Sequence, residues 1–356
     1  MRKGSTILVV AGLLMTVIPV FSADTKVEGR IYADWMLNST RGADNYNTFE
    51  LGRSYLTAKS KLSDNTSANI TVDLRRVDPA YAGYMIVLKN AYGSWKPKFS
   101  KDYLAVVFGL QPTKYLEAMN NYCWGRRYLA QAIGDARGFL STADLGLTFD
   151  IDLAEKGNYG YAGLSIWNGT KFTDVVDKNN QKDFNPYIVL KPAPNSPEFG
   201  QSLIVGQIYL GTRNVTITGN RNADEFKHML FSLGGKLAYK SLFDFGIDLN
   251  WDTQGQAWGD TADLRQSALS FFGALYFKEM TKDSTSLFRT LDIFGRVDVS
   301  DPNTDVNDNG ETLVIIGFEC VPSKGIAGSL NYRVTSYQDE GTASAKYLYL
   351  NMEYRF

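Results

Sequence analysis

Histidine is almost missing from this chain: His228 is the only one in 356 residues. Hydrolytic sites of the Ser-His or Asp-His kind need an imidazole beside a nucleophile or a bound water. His228 has no G-x-S-x-G or comparable motif near it, so the sequence argues against an enzyme. Cysteine is scarce too, with only Cys123 and Cys320, and no Cys/His cluster has metal-ligand spacing. The strand assignment below puts Cys320 at the inner end of a strand and Cys123 in a loop entering from the outer side, which favours two free thiols. A charge excess is absent: 37 Lys and Arg face 38 Asp and Glu. That disfavours a nucleic-acid partner, which calls for a strong basic surplus. No cofactor motif is present. The acidic run Asp301–Gly310 lacks the spacing and the terminal glutamate of an EF-hand loop.

Long apolar runs are missing as well, except at the start. Arg2 and Lys3 precede an apolar stretch from Ile7 to Phe21, and small residues Ser22 and Ala23 follow. Pro19 interrupts the run, which is short for a helix spanning a bilayer. The pattern reads as a secretory signal peptide over 1–22, leaving 23–356 as one exported domain. No later segment is long and apolar enough for a membrane helix.

What is there is alternation. Val27, Gly29, Ile31, Ala33, Trp35 and Leu37 interleave with Lys26, Glu28, Arg30, Tyr32 and Asp34. The same period of two recurs at Ala68–Arg75, Leu145–Ile151, Phe243–Trp251 and Leu291–Val299, and in the last residues, where Leu348, Leu350, Met352, Tyr354 and Phe356 alternate with Tyr347, Tyr349, Asn351, Glu353 and Arg355. Such spacing places one set on each face of a strand. Sixteen segments can be drawn, roughly at 26–37, 49–62, 67–76, 82–94, 103–111, 142–152, 158–167, 185–191, 202–210, 227–239, 242–252, 266–278, 287–299, 312–320, 326–336 and 346–356. Alternation is blurred in 82–94 and 185–191. A soluble sandwich also alternates, but its strands run to about 5–6 residues. Segments of this length, after an export signal and ending on an aromatic strand, predict an all-β transmembrane antiparallel barrel, with one face toward lipid and the other lining a lumen.

Connections alternate in length. Ser63–Thr66, Ala154–Gly157, Lys240–Ser241 and Val321–Gly325 are short, whereas 38–48, 112–141, 168–184, 211–226, 253–265, 300–311 and 337–345 are long. Short periplasmic turns opposite long external loops are expected of such barrels. Two connections depart from this: 77–81 is short on the loop side and 192–201 long on the turn side. Trp35 and Trp251 fall outward near outer ends, and Phe243, Phe277, Tyr354 and Phe356 outward near inner ends, where interfacial girdles lie.

The terminal Tyr354-Arg-Phe356 resembles the closing strand of bacterial outer-membrane porins. Phe49-Glu-Leu-Gly-Arg-Ser-Tyr-Leu-Thr-Ala-Lys-Ser-Lys-Leu62 with Ile70-Thr-Val-Asp-Leu-Arg75, and Phe108-Gly-Leu-Gln-Pro112 with Ala143-Asp-Leu-Gly-Leu147, are similar to the phosphate-selective porin O and P family. The resemblance implies a sixteen-stranded barrel in the outer membrane of a Gram-negative-type bacterium, often a homotrimer, carrying anions. Its anion-binding residues do not map position by position onto this chain.

The longest loop, 112–141, is the candidate constriction, because a sixteen-stranded barrel is too wide to select finely unless something folds into its lumen. Its charged residues are Glu117, Arg126, Arg127, Asp135 and Arg137. Lumen-facing candidates are Arg30, Arg53, Lys59, Lys61, Arg75, Asp73, Lys236, Arg296 and Arg333. Acidic residues Asp34, Asp144, Asp150, Asp152, Asp244, Asp248, Asp292, Asp298 and Glu353 share that face, so the lumen reads as mixed in charge. The cluster Arg53, Lys59, Lys61 and Arg75 is the local sign of anion attraction. The expected function is passive diffusion of small hydrophilic solutes or ions, anions such as phosphate among them. A structural or adhesive surface protein with Asn/Asp-rich loops is the alternative, and an outer-membrane hydrolase a further one.

Overall fold

The computed structural model describes residues 24–40, 42, 46–76, 83–219, 221–258, 261–280 and 286–356. The expected signal peptide at 1–22 lies outside the described residues. Sixteen strands follow one another: β1 Thr25–Asn38, β2 Asn47–Ser63, β3 Thr66–Arg75, β4 Met85–Trp95, β5 Leu104–Pro112, β6 Ala143–Asp152, β7 Gly160–Trp167, β8 Asp183–Leu190, β9 Leu203–Thr212, β10 Lys227–Tyr239, β11 Phe243–Trp258, β12 Ala262–Tyr276, β13 Leu291–Asp301, β14 Glu311–Ser323, β15 Ile326–Tyr337 and β16 Ala345–Arg355. Each pairs antiparallel with the next, and β16 pairs with β1 from Arg30↔Arg355 to Asn38↔Tyr347, closing the barrel. Every strand edge is thereby satisfied, as a sheet in lipid requires. At the seam the Gly29 and Phe356 backbones exchange hydrogen bonds of 2.8 and 3.1 Å. The Phe356 ring covers Gly29, so closely that a Cβ there would overlap it.

The outward face is apolar and exposed all the way round. Leu56, Ile70, Ile86, Phe108, Ile151, Ile188, Ile208, Leu233, Phe245, Ile316, Leu330 and Leu350 all lie uncovered. A continuous apolar belt of this kind is stable against hydrocarbon and not against water.

Two expected boundaries change. The loop placed at 253–265 is largely strand, since β11 runs to Trp258 and β12 starts at Ala262, with a register shift between Gln254 and Trp258. Two added residues on β11 there let a polar stretch stay beside the ladder, so composition alone misread it as loop. The turn between β12 and β13 spans 277–290 and includes a 3₁₀ turn, Leu287–Thr290. It is longer than expected, and Phe277 falls in it, one residue past the end of β12.

Strands β2 and β4 carry bulges, and the one in β4 explains why alternation blurs over 82–94. In β2, Tyr32 pairs with Arg53 and Ala33 with Leu51, leaving Gly52 as an extra residue. In β4, Thr71 pairs with Asn90 and Val72 with Leu88, leaving Lys89 extra. An added residue shifts the parity of all that follow. Exposed Ile86 and Leu88 therefore precede inward Asn90 and Tyr92 on the same strand.

Candidate pore and constriction

The connection from β5 to β6 contains α1 Lys114–Ala118, a π-helical turn Met119–Cys123 and α2 Ile133–Ala136. It packs on strands far from its own: α1 on β8 and β9, the π-helical turn on β9 and β10, α2 on β11 and β12. Tyr115, Leu116, Met119, Trp124, Ile133 and Phe139 are buried in one cluster with Val189, Val205, Tyr209, Leu230, Phe272, Phe294 and Ile315 from β8 to β14. Burying one such side chain stabilises by about 1.5–3 kcal/mol. The Trp124 ring meets Phe272 and Phe294 edge-on at 5.6 and 6.1 Å. Gly234 on β10 makes the approach feasible, because a Cβ there would sit 2.9 Å from both Met119 Sδ and the Tyr115 hydroxyl.

Polar contacts lock the same segment to the opposite wall. The Tyr115 hydroxyl donates to Asp248 at 2.7 Å. Arg126 Nε and the Tyr128 hydroxyl both donate to Glu319, at 2.8 Å each. Arg296 donates to the Gln131 carbonyl at 2.7 Å, and Arg333 to the Leu129 carbonyl at 2.9 Å. Burial drives the Cys123 thiol pKa up to about 12, and the nearby Asp248 and Asp244 carboxylates add to it. Both cysteines are free.

What stays open lies along β1 to β4. A cavity of about 780 Å³ runs from Lys26, Glu28, Arg30, Lys324 and Arg355 near the short-turn end up to Tyr55, Lys89 and Arg127. Leu116, Glu117, Asn120 and Asn121 form its inner side. At its upper end the Tyr55 hydroxyl accepts from Arg127 at 2.7 Å, Arg53 at 3.0 Å and Lys89 at 3.4 Å. Buried Asp73 stands 3.5 Å from Arg53 and 3.9 Å from Arg75. Asp135 accepts from Arg127 at 3.0 Å. Lys89 is within salt-bridge range of no carboxylate among the described residues; its ammonium lies 4.6 Å from the centre of the Tyr55 ring.

The candidate residues therefore separate. Glu117 and Arg127 face the cavity, and Asp135 braces Arg127. Arg126 is buried against Glu319, and Arg137 pairs with Glu311 on the far wall. Arg30 and Lys59 line the cavity, with Lys59 bonded to Glu28 at 2.8 Å. Arg53, Arg75 and Asp73 meet above it. Lys61 sits at the exposed turn, 3.1 Å from Asp64. Arg296 and Arg333 hold the crossing segment rather than front the cavity, and Lys236 is outside the cavity lining. Lys89 and Tyr55 escaped the sequence reading. Lys89 sits in the blurred segment, and the consecutive polar pair Lys89-Asn90 after apolar Met85–Leu88 was the available sign of a bulge.

The acidic residues separate as well. Asp248, Glu319 and Asp298 are bonded to the crossing segment or to Arg296, and Asp244 to Tyr276 at 2.5 Å. His228 bonds Asp252 at 2.8 Å beside the Tyr209 ring. No three His, Cys, Asp or Glu side chains among the described residues are grouped to hold a metal ion.

Solved structures of outer-membrane channels superpose on nearly the whole chain. Pseudomonas putida OprB aligns with a TM-score of 0.67 at 9% identity, covering 97% of each chain. The fold is that of the outer-membrane porins. An anion-selective porin from Comamonas acidovorans aligns at 0.62 and 11% identity, over 94% of this chain and 99% of the other. A trimer form of Vibrio cholerae OmpT aligns at 0.61 and 12% identity, over 93% and 99%. The sequence matches no protein-family model and no curated protein.

Proposed function

We propose that the chain is an outer-membrane porin for passive diffusion of small hydrophilic solutes, with a preference for anions, inorganic phosphate included. One observation carries this reading: charge is sorted in space. The open path follows the β1–β4 wall, where Arg30, Lys89 and Arg127 gather with Arg53 and Arg75 above them, while Asp248 and Glu319 of the opposite wall are bonded to the crossing segment. Cations along a narrow, low-dielectric passage lower the barrier for an anion at each step. Residues 113–142 act as the constriction by filling the β8–β14 side of the bore. The driving force is the solute gradient, and no residue is asked to do covalent chemistry.

A homotrimer in the outer membrane is part of the proposal. It is supported by the sequence resemblance and by the trimeric form of one structural neighbour. Planar-bilayer recording on purified protein tests the whole reading. Channel activity with a reversal potential of anion sign is expected. A protein that inserts without conducting, or that binds surfaces or glycans instead, favours the adhesive reading, and a cation-sign reversal potential removes the anion preference.

A further inference from the structure

The connection between β7 and β8, residues 168–182, does not stay over its own strands. Its Phe172 ring lies 5.7 Å from the Arg75 guanidinium and 5.6 Å from the Lys89 ammonium. Those cations belong to β3 and β4, with two strands between β4 and β7. The connection is pinned on both sides of the ring. Thr170 bonds Asp144 on β6 through its backbone N–H at 3.0 Å and its hydroxyl at 2.5 Å. Farther along, the Lys178 backbone N–H donates to Asn214 at 2.8 Å, and Asn179 donates to the Arg213 carbonyl at 3.1 Å. Between these anchors Lys171 and Asp174 exchange backbone hydrogen bonds of 3.2 and 2.9 Å, so Phe172 stands on a tight, self-contained turn.

The Phe172 ring is a second aromatic partner for Lys89, besides Tyr55, and binds Arg75 at the same time. An aromatic face attracts a cation through its quadrupole, weakly enough at a wet site to let go. Arg75 is the last residue of β3, at its loop end, and Phe172 lies against it and against Lys89 below. We propose that Phe172 is an aromatic cap on the outer end of the anion path, closed by its hold on Arg75 and Lys89 and opened when the turn Lys171–Asp174 lifts between its anchors. The proposal rests on the porin reading and adds the element that gates it.

Single-channel recording of the full chain tests the cap with Phe172→Ala, Phe172→Leu and Phe172→Trp. The wild type should show brief closures. Alanine removes the ring, and leucine keeps most of the bulk without the π face. Both should cut the closed-to-open ratio about tenfold, equal to about 1.4 kcal/mol. Tryptophan, the stronger partner for a cation, should lengthen the closures. Closures that survive in Phe172→Ala, or a Phe172→Leu channel that gates like wild type, overturn the cap while leaving the porin reading intact. A wild type that inserts without conducting overturns both. Should the alanine variant fail to insert, leucine and tryptophan still test the cap, because they must move the ratio in opposite directions.

Discussion

Arg127 reaches from the crossing segment to β2 and donates to the Tyr55 hydroxyl at 2.7 Å, whereas its neighbour Arg126 turns the other way and is buried on Glu319. Two adjacent arginines thus serve opposite walls. Arg127→Ala should move the reversal potential in a salt gradient toward the cation side with the barrel still folded. Arg126→Ala should leave selectivity nearly unchanged, although both variants should destabilise, because Glu319 and Asp135 are each left buried without a cation. Loss of one partner of a buried pair costs about 3–5 kcal/mol. Urea unfolding followed by gel mobility measures the second effect, and an equal selectivity shift in both variants would contradict the division.

Lys89 is the cation that the β4 bulge delivers into the path. Lys89→Gln keeps a polar, hydrogen-bonding side chain, one bond shorter, and removes the charge. Anion preference should fall at least as far as in Lys59→Gln, because Glu28 already offsets Lys59 at 2.8 Å. Bi-ionic reversal potentials compare the two directly.

Tyr115→Phe removes one hydrogen bond from the crossing segment and leaves Asp248 short of a donor. A buried acceptor that loses its partner costs about 1–3 kcal/mol. The segment should loosen, giving a noisier current and a wider exclusion limit in liposome swelling with neutral sugars. An unchanged exclusion limit would mean that apolar packing alone sets the bore.

Cys123 is buried at the end of the π-helical turn with its thiol pKa pushed up to about 12, so little thiolate forms at neutral pH. Maleimide should label it in the native barrel far more slowly than Cys320, which is partly exposed. Denaturant should abolish the difference. Rapid native labelling at Cys123 would show that the crossing segment opens.

Much of this was legible in one dimension. Period-two alternation from Lys26 to Phe356 determines a barrel, its strand count and its apolar outer face, because a strand has only two faces and lipid tolerates only one kind of residue. The long connection at 112–141 also stood out by its length and its aromatics. Inward-pointing Val189 blurred the pattern on β8, and Lys89 blurred it on β4.

Only the tertiary structure decided how the lumen is divided. Along the sequence the inward charges of both signs are intermingled. In the closed barrel, strands fifteen apart in order, β1 and β16, become neighbours and strands eight apart face each other, so the crossing segment meets one half of the wall and spares the other. Local spacing carries no information on which half, because that choice rests on long-range packing of Tyr115, Trp124 and Ile133 against β8–β14. Carboxylates on the covered half find hydrogen-bond donors there, and the cations of β2–β4 are left facing the open path.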